Sequence, residues 1–88
     1  MAGRKTLALF VRATARDFVD VYELAEKFGR RTLLAEAAKI DAGFDTHVFA
    51  EMLGTLDRFD DQDLATRDVA TVRTFFAQWR GELSAQPT

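Results

Sequence analysis

The spacing of apolar side chains near the C-terminus constrains the fold more than any other feature of the sequence. Apolar residues recur there every three or four positions, the period of an α-helix with one buried face. These residues are Val69, Val72, Phe75, Phe76, Trp79 and Leu83. The only proline is Pro87, so no proline breaks a helix before that position. The pattern predicts a chain that buries helical stripes against one another.

The same period recurs upstream and predicts the remaining helices. We expect them at about Arg4–Arg12, Ala15–Phe28 and Arg31–Ile40, with a fourth after Asp45. The first two are either separate helices or one helix with a break near Thr14. No useful length of strand-like alternation appears, so we expect an all-α bundle of four to five helices.

Polar residues between the stripes predict where the helices begin and end. Gly29 suits the position after a helix, where left-handed backbone is common. Asp45 and Thr66 are expected to cap the helices that follow them, with Asp68 in the first turn of the last helix. Residues 57–66, "DRFDDQDLAT", are expected to form a polar loop.

Length and composition limit the class of protein. Eighty-eight residues with 48% apolar and 30% charged residues describe one small globular domain. We place it at residues 1–83, followed by a flexible tail at 84–88. The net charge of −2 does not favour direct nucleic-acid binding. The chain contains no cysteine and no apolar run of membrane-spanning length, so we expect a cytoplasmic protein that does not enter a membrane.

Residues 16–22, "RDFVDVY", hold the first candidate for chemistry. Asp17 and Asp20 are three positions apart and project from one side of a helix. They could bind a metal or position a base, or they could form an exposed surface in which Arg16 pairs with Asp20.

Other polar clusters fit ordinary surface or core roles. The acidic group at residues 57–63 lacks the glycine and glutamate register of a calcium loop, so we expect a solvated loop. His47 has no cysteine to join it in a zinc site, and we expect it to be exposed. The cluster of Phe75, Phe76 and Trp79 is expected in the core. Four basic residues form one stripe if the first two helices are continuous, and would suit a phosphate. They are Arg4, Lys5, Arg12 and Arg16.

A longer stretch gives "RDFVDVY" more weight. The segment "AGRKTLALFVRATARDFVDVYELAEKFG" resembles the C-terminal half of the AbiEii/AbiGii family of nucleotidyltransferase toxins. That family shows a lysine, an arginine about seven residues later, and an R-D-F-x-D-x-Y-x-L segment. The matching residues are Lys5, Arg12, Arg16, Asp17, Phe18, Asp20, Tyr22 and Leu24. The likeness continues through "DAGFD", "LDRFDD" and "FFAQWRGEL" to about Leu83.

The resemblance implies a catalytic apparatus divided between two halves. An N-terminal α/β lobe carries a Gly-Ser motif and paired aspartates that hold magnesium and the nucleotide, and the helical half adds a lysine and an aspartate. The present residues match the helical half alone. Phosphoryl-type transfer depends on the charge and position of the metal, so we expect an incomplete site, no metal, no cofactor and no catalysis.

We therefore expect this chain to be an antitoxin, or inhibitory subunit, that binds and neutralises a nucleotidyltransferase toxin. Two alternatives remain: a truncated helical domain of such a toxin, and a helical self-association module. The predicted partner-binding face contacts the toxin, or a second copy when no toxin is present. It consists of Leu7, Phe10, Val11 and Phe18, edged by Lys5, Arg12, Arg16 and Asp20.

Overall fold

Residues 2–85 are described by a computed structural model, and they form six α-helices, one 3₁₀ helix and no strand. The α-helices are α1 Ala2–Val11, α2 Ala15–Phe28, α3 Arg30–Ile40, α4 Thr46–Leu53, α5 Asp61–Leu64 and α6 Val69–Ala85. The 3₁₀ helix, Gly54–Arg58, follows α4 directly. The all-α class is confirmed. The helix count exceeds the predicted four to five because a single turn, α5, forms inside the segment predicted as a loop.

The core lies between α2, α4 and α6, and aromatic rings fill much of it. Trp79 of α6 is buried and meets Phe49 of α4 edge-on at 5.3 Å between ring centroids. Phe76, one turn earlier on α6, meets Phe18 of α2 edge-on at 5.1 Å. Such edge-to-face pairs add to the free energy gained by burying the rings. The apolar stripe of the last helix therefore packs into the core, as its helical period predicts.

Helix α1 packs mainly against α3, and a glycine permits their close approach. A Cβ atom added to Gly3 would lie 2.8 Å from the Glu36 carbonyl oxygen and 2.8 Å from Ile40 Cδ1. Because the carbonyl belongs to the α3 backbone, a side chain at this position would push the two helices apart. Residue 3 is therefore restricted to glycine by the α1–α3 contact.

The predicted caps are right at Asp45 and wrong at Thr66. The Asp45 carboxylate accepts hydrogen bonds from the backbone N–H groups of His47 and Val48 at 2.8 and 3.3 Å. At the last helix, Asp68 Oδ1 accepts from the Thr71 N–H at 3.1 Å, and α6 begins at Val69. Hydrogen bonds from the Thr71 side chain and from its backbone N–H hold the pKa of Asp68 below its ordinary value. Asp68 is thus the N-cap of α6, in place of the predicted Thr66, because aspartate is preferred over threonine at this position.

The acidic segment is more ordered than a solvated loop. Asp60 and Asp63 form a reciprocal capping box around α5, with Asp63 Oδ2 accepting from the Asp60 N–H at 2.9 Å. Arg73 of α6 holds the segment in place by donating to the carbonyl oxygen of Phe59 at 2.6 Å and to Asp61 Oδ1 at 3.0 Å. The segment is therefore partly helical where a loop was expected, but its four acidic residues are exposed, as expected of a solvated segment.

The C-terminal end also departs from expectation. Ser84 and Ala85, expected to begin a flexible tail, are the last residues of α6. Residues 86–88, the rest of that predicted tail, lie outside the described residues. Over residues 2–85, no helix has the length and apolar character that crossing a bilayer requires.

Candidate functional site

Arg12, Thr14 and Asp17 meet where α1 ends and α2 begins, and Asp17 organises this corner. The chain leaves α1 through Ala13, whose φ of 49° is left-handed, and enters α2 with Thr14 as N-cap. Thr14 and Asp17 form a capping box: Thr14 Oγ1 accepts from the Asp17 N–H, and Asp17 Oδ2 accepts from the Thr14 N–H at 3.1 Å. Such a box satisfies backbone donors that the first turn of a helix leaves free.

Asp17 also forms an ion pair with Arg12, on the far side of the chain reversal. Arg12 Nε donates to Asp17 Oδ2 at 3.1 Å and Arg12 Nη2 donates to Asp17 Oδ1 at 3.2 Å, a two-point contact. The Asp17 residue is 2% exposed, whereas the Arg12 side chain extends into solvent. A nearly buried carboxylate needs partners of this kind, because burial without them is costly. Asp17 therefore fixes the angle between α1 and α2.

The pKa of Asp17 reflects both its burial and its partners. Burial removes water from the carboxylate and raises its pKa. Hydrogen bonds from Arg12 and Thr14, together with the charge of Arg12, outweigh burial and hold the pKa below its ordinary value. The same contacts raise the pKa of the Arg12 guanidinium. Asp17 is thus a charged structural anchor at neutral pH and is not suited to accept a proton as a general base.

A second ion-pair group joins the middle of α1 to α2. Lys5 Nζ donates to Asp20 Oδ2 at 3.1 Å, and Arg16 Nε lies 3.8 Å from the same oxygen. All three side chains are at least partly exposed. The structure thus brings together Lys5, Arg16 and Asp20, beside the Arg12–Asp17 pair. Each of the two aspartates already has a basic partner.

Tyr22 faces away from these ion pairs. It lies five positions beyond Asp17, which is about 140° around the helix. Its ring meets Phe75 of α6 edge-on at 5.1 Å. A hydrogen bond with the Glu26 carboxylate, aided by partial burial, raises the pKa of Tyr22. Tyr22 therefore belongs to a shallow groove between α2 and α6, and not to the same cluster as the other family-like residues.

The predicted partner-binding face is partly buried. Phe18 is 0% exposed and packs against Phe76, so it is a core residue that a partner of the folded domain cannot reach. Phe10 is half-buried, with its ring 5.0 Å from that of Phe44. Leu7 is also half-buried, whereas Val11 is 71% exposed at the end of α1. The accessible part of the predicted face is therefore Val11 with the outer edges of Leu7 and Phe10.

No metal-binding cluster is evident in the described part of the chain. Within residues 2–85, no three His, Cys, Asp or Glu side chains come close enough together to hold a metal ion. His47, expected to be exposed, is half-buried in the first turn of α4.

Comparison of the chain with family models, curated proteins and solved structures found no match.

Two residues that organise the structure were not singled out from the sequence. Thr14 is expected from the sequence only as a break between helices, although the spacing Thr14-x-x-Asp17 is close to a capping-box signature that identifies the N-cap. Arg73 carries no local sequence signal of its role, because its partners lie twelve to seventeen positions earlier in the chain.

Proposed function

We propose that this chain is a non-catalytic antitoxin, or inhibitory subunit, that binds and neutralises a nucleotidyltransferase toxin in the cytoplasm. The proposed partner is a toxin of the AbiEii/AbiGii class that the α1–α2 segment resembles. The chain contributes a binding surface and has no nucleotidyltransferase activity of its own.

One observation carries the proposal: an exposed apolar helix end borders a set of charges that are already fixed in place. Val11 is the most exposed large apolar residue of the described chain. Arg12 follows it directly and is oriented by Asp17. Exposed apolar residues beside ordered charges suit a protein interface, in which apolar anchors supply affinity and rim charges set orientation.

The pairing of the two aspartates supports a binding role over a catalytic one. Asp17 is buried and tied to Arg12 and Thr14, so its oxygens are not directed toward a metal. Asp20 is bound to Lys5. Opening either pair would leave a charge without its partner, and for the buried Asp17 this costs about 1–3 kcal/mol.

Co-expression tests the proposal directly. A nucleotidyltransferase toxin encoded next to this chain is expressed alone and together with it. Growth should recover only when the two are co-expressed, and the two chains should purify together. Continued growth arrest, or recovery without co-purification, would contradict neutralisation by binding.

A second candidate is the helical domain of a longer nucleotidyltransferase. It is favoured by the Lys5–Asp20 pair, which is partly exposed and matches the lysine and aspartate that the resemblance assigns to the helical half. The two candidates predict opposite effects on a nucleotidyltransferase catalytic lobe. An antitoxin should lower nucleotide transfer when added to the active enzyme, whereas a helical domain should raise transfer by an isolated catalytic lobe.

A further inference from the structure

An apolar groove lies at the opposite end of α1 from Val11. It has a volume of about 380 Å³ and is formed by the start of α1, the end of α2 and α3. Its lining residues are Ala2, Leu24, Lys27, Phe28, Thr32 and Glu36. The groove is therefore separate from the family-like ion pairs and from the predicted partner-binding face.

Large apolar side chains in and near this groove are unusually exposed. Phe28, the last residue of α2, lines the groove and is 49% exposed. Ile40, the last residue of α3, is 53% exposed, and its Cδ1 atom lies beside Gly3 near the start of α1. Exposed large apolar side chains that lie near a groove favour an interaction site.

The charges at the rim indicate what binds there. Lys27 and Glu36 stand on different helices and carry opposite charges, so the rim is neither acidic nor basic as a whole. A surface with one charge of each sign is complementary to itself when two copies are related by a twofold axis. The small net charge of −2 also gives little repulsion between two copies.

We propose that this groove is the interface of a homodimer with twofold symmetry. The exposed Phe28 ring of each copy packs into the groove of the other. Lys27 of one copy pairs with Glu36 of the other, and the symmetry repeats this pair. Within one chain Glu36 pairs only with the exposed Lys39, at 3.5 Å, a contact that is weak enough to be exchanged.

The dimer goes beyond the proposed function and does not depend on it. Val11 is nine positions from Ala2, about 13 Å along the helix axis, so the groove and Val11 lie at opposite ends of α1. An interface of one groove and its rim buries less than about 1,200 Å², the range of weak complexes. The dimer should therefore form at high protein concentration and in the absence of any toxin.

Two charge-reversal variants test the proposed pairing. Sedimentation equilibrium is measured for the full chain from about 10 μM to 1 mM, where weak interfaces associate. Lys27→Glu and Glu36→Lys should each weaken self-association about fivefold or more, because both cross-pairs become like-charged. An equimolar mixture restores two opposite-charge cross-pairs and should associate within about twofold of the wild type.

The mixture separates contacts between chains from contacts within one chain. In each variant, positions 27 and 36 of the same chain carry like charges, so recovery can come only from pairing between chains. Phe28→Glu should abolish association, while Val48→Glu, which changes a 43% exposed residue on α4, should not. Circular dichroism verifies that each variant keeps its helices. The proposal would be overturned if the wild type stays monomeric or if Phe28→Glu still dimerises. It would also be overturned if the mixture of the two charge-reversal variants associates no more tightly than either variant alone.

Discussion

At the residue scale, Asp17 decides how the chain reverses direction between its first two helices. One carboxylate caps α2, completes a capping box with Thr14 and pairs with Arg12 at two points. Each contact alone is modest, but together they hold a nearly buried charge. Arg12 and Asp17, which match residues of the toxin-like motif, therefore have a structural role in this domain.

Removing the Asp17 charge should destabilise the domain in a pH-dependent way. We expect Asp17→Asn to lower the free energy of unfolding by about 1–3 kcal/mol at pH 7. The pKa of Asp17 is lower in the folded chain than its ordinary value of 3.8. Its contribution to stability is thus complete above about pH 5 and is lost as the pH falls through 3.8 toward the folded value.

Urea unfolding at pH 7 and at pH 3 measures this contribution. The difference between wild type and Asp17→Asn should be smaller at pH 3. Asp20→Asn is the control, because its partly exposed pair with Lys5 should contribute less than about 1 kcal/mol. An equal loss of unfolding free energy in both variants would contradict the anchoring role of Asp17. So would a difference between wild type and Asp17→Asn that is larger at pH 3 than at pH 7.

At the element scale, the connections between helices include two alanines with left-handed backbone. Ala13 ends the reversal after α1, and Ala65 follows α5 with a φ of 48°. Ala65 is exposed, so its side chain gains little burial to offset the steric cost of this conformation.

Glycine should therefore be better than alanine at Ala65 and worse within a helix. Ala65→Gly is expected to raise the free energy of unfolding by about 0.5–1 kcal/mol. Ala35→Gly, at an exposed position within α3, should lower it by about 1 kcal/mol. Thermal unfolding of both variants shows whether each substitution raises or lowers the free energy of unfolding. Destabilisation by both would show that Ala65 is not strained.

Sequence patterns predicted the long helices better than the short ones. The α6 stripe is buried at Val72, Phe76 and Trp79 because a long periodic pattern has one consistent inner face. The turn α5 was missed because four residues carry no period, and its order depends on Arg73 from a distant helix. Periodicity also could not reveal that Phe18 is covered on all sides, since that depends on where α6 packs.

At the scale of the whole molecule, stability depends on a small aromatic core. Trp79 contacts Phe49, Phe75 and Phe76. Trp79→Ala should cost about 3–5 kcal/mol. A domain of this length has roughly 4–13 kcal/mol in total. This loss is a large fraction of that total, so the melting temperature should fall by more than about 10 °C.

The melting temperature measured by circular dichroism tests this dependence on the core. Phe28→Ala is a matched control, because it removes a half-exposed aromatic ring and should cost about 1 kcal/mol or less. An unchanged melting temperature for Trp79→Ala would contradict the core role of this residue.

We propose that the exposed end of α1 binds a nucleotidyltransferase toxin, and substitutions at this end can test the proposal. Phe10→Asp is a poor test, because Phe10 packs on Phe44 and its loss would disturb the fold. Val11→Asp avoids this problem, since Val11 is mostly exposed, and Val48→Asp on α4 is the matched control.

The most direct measurement is calorimetric titration of the toxin with the wild-type chain, with Val11→Asp and with Val48→Asp. Placing a charge against the apolar contact should weaken binding of Val11→Asp by about 2 kcal/mol or more, roughly thirtyfold in the dissociation constant. Val48→Asp should bind like the wild type. Binding of Val11→Asp with wild-type affinity, or no binding by the wild-type chain, would contradict toxin binding at the end of α1.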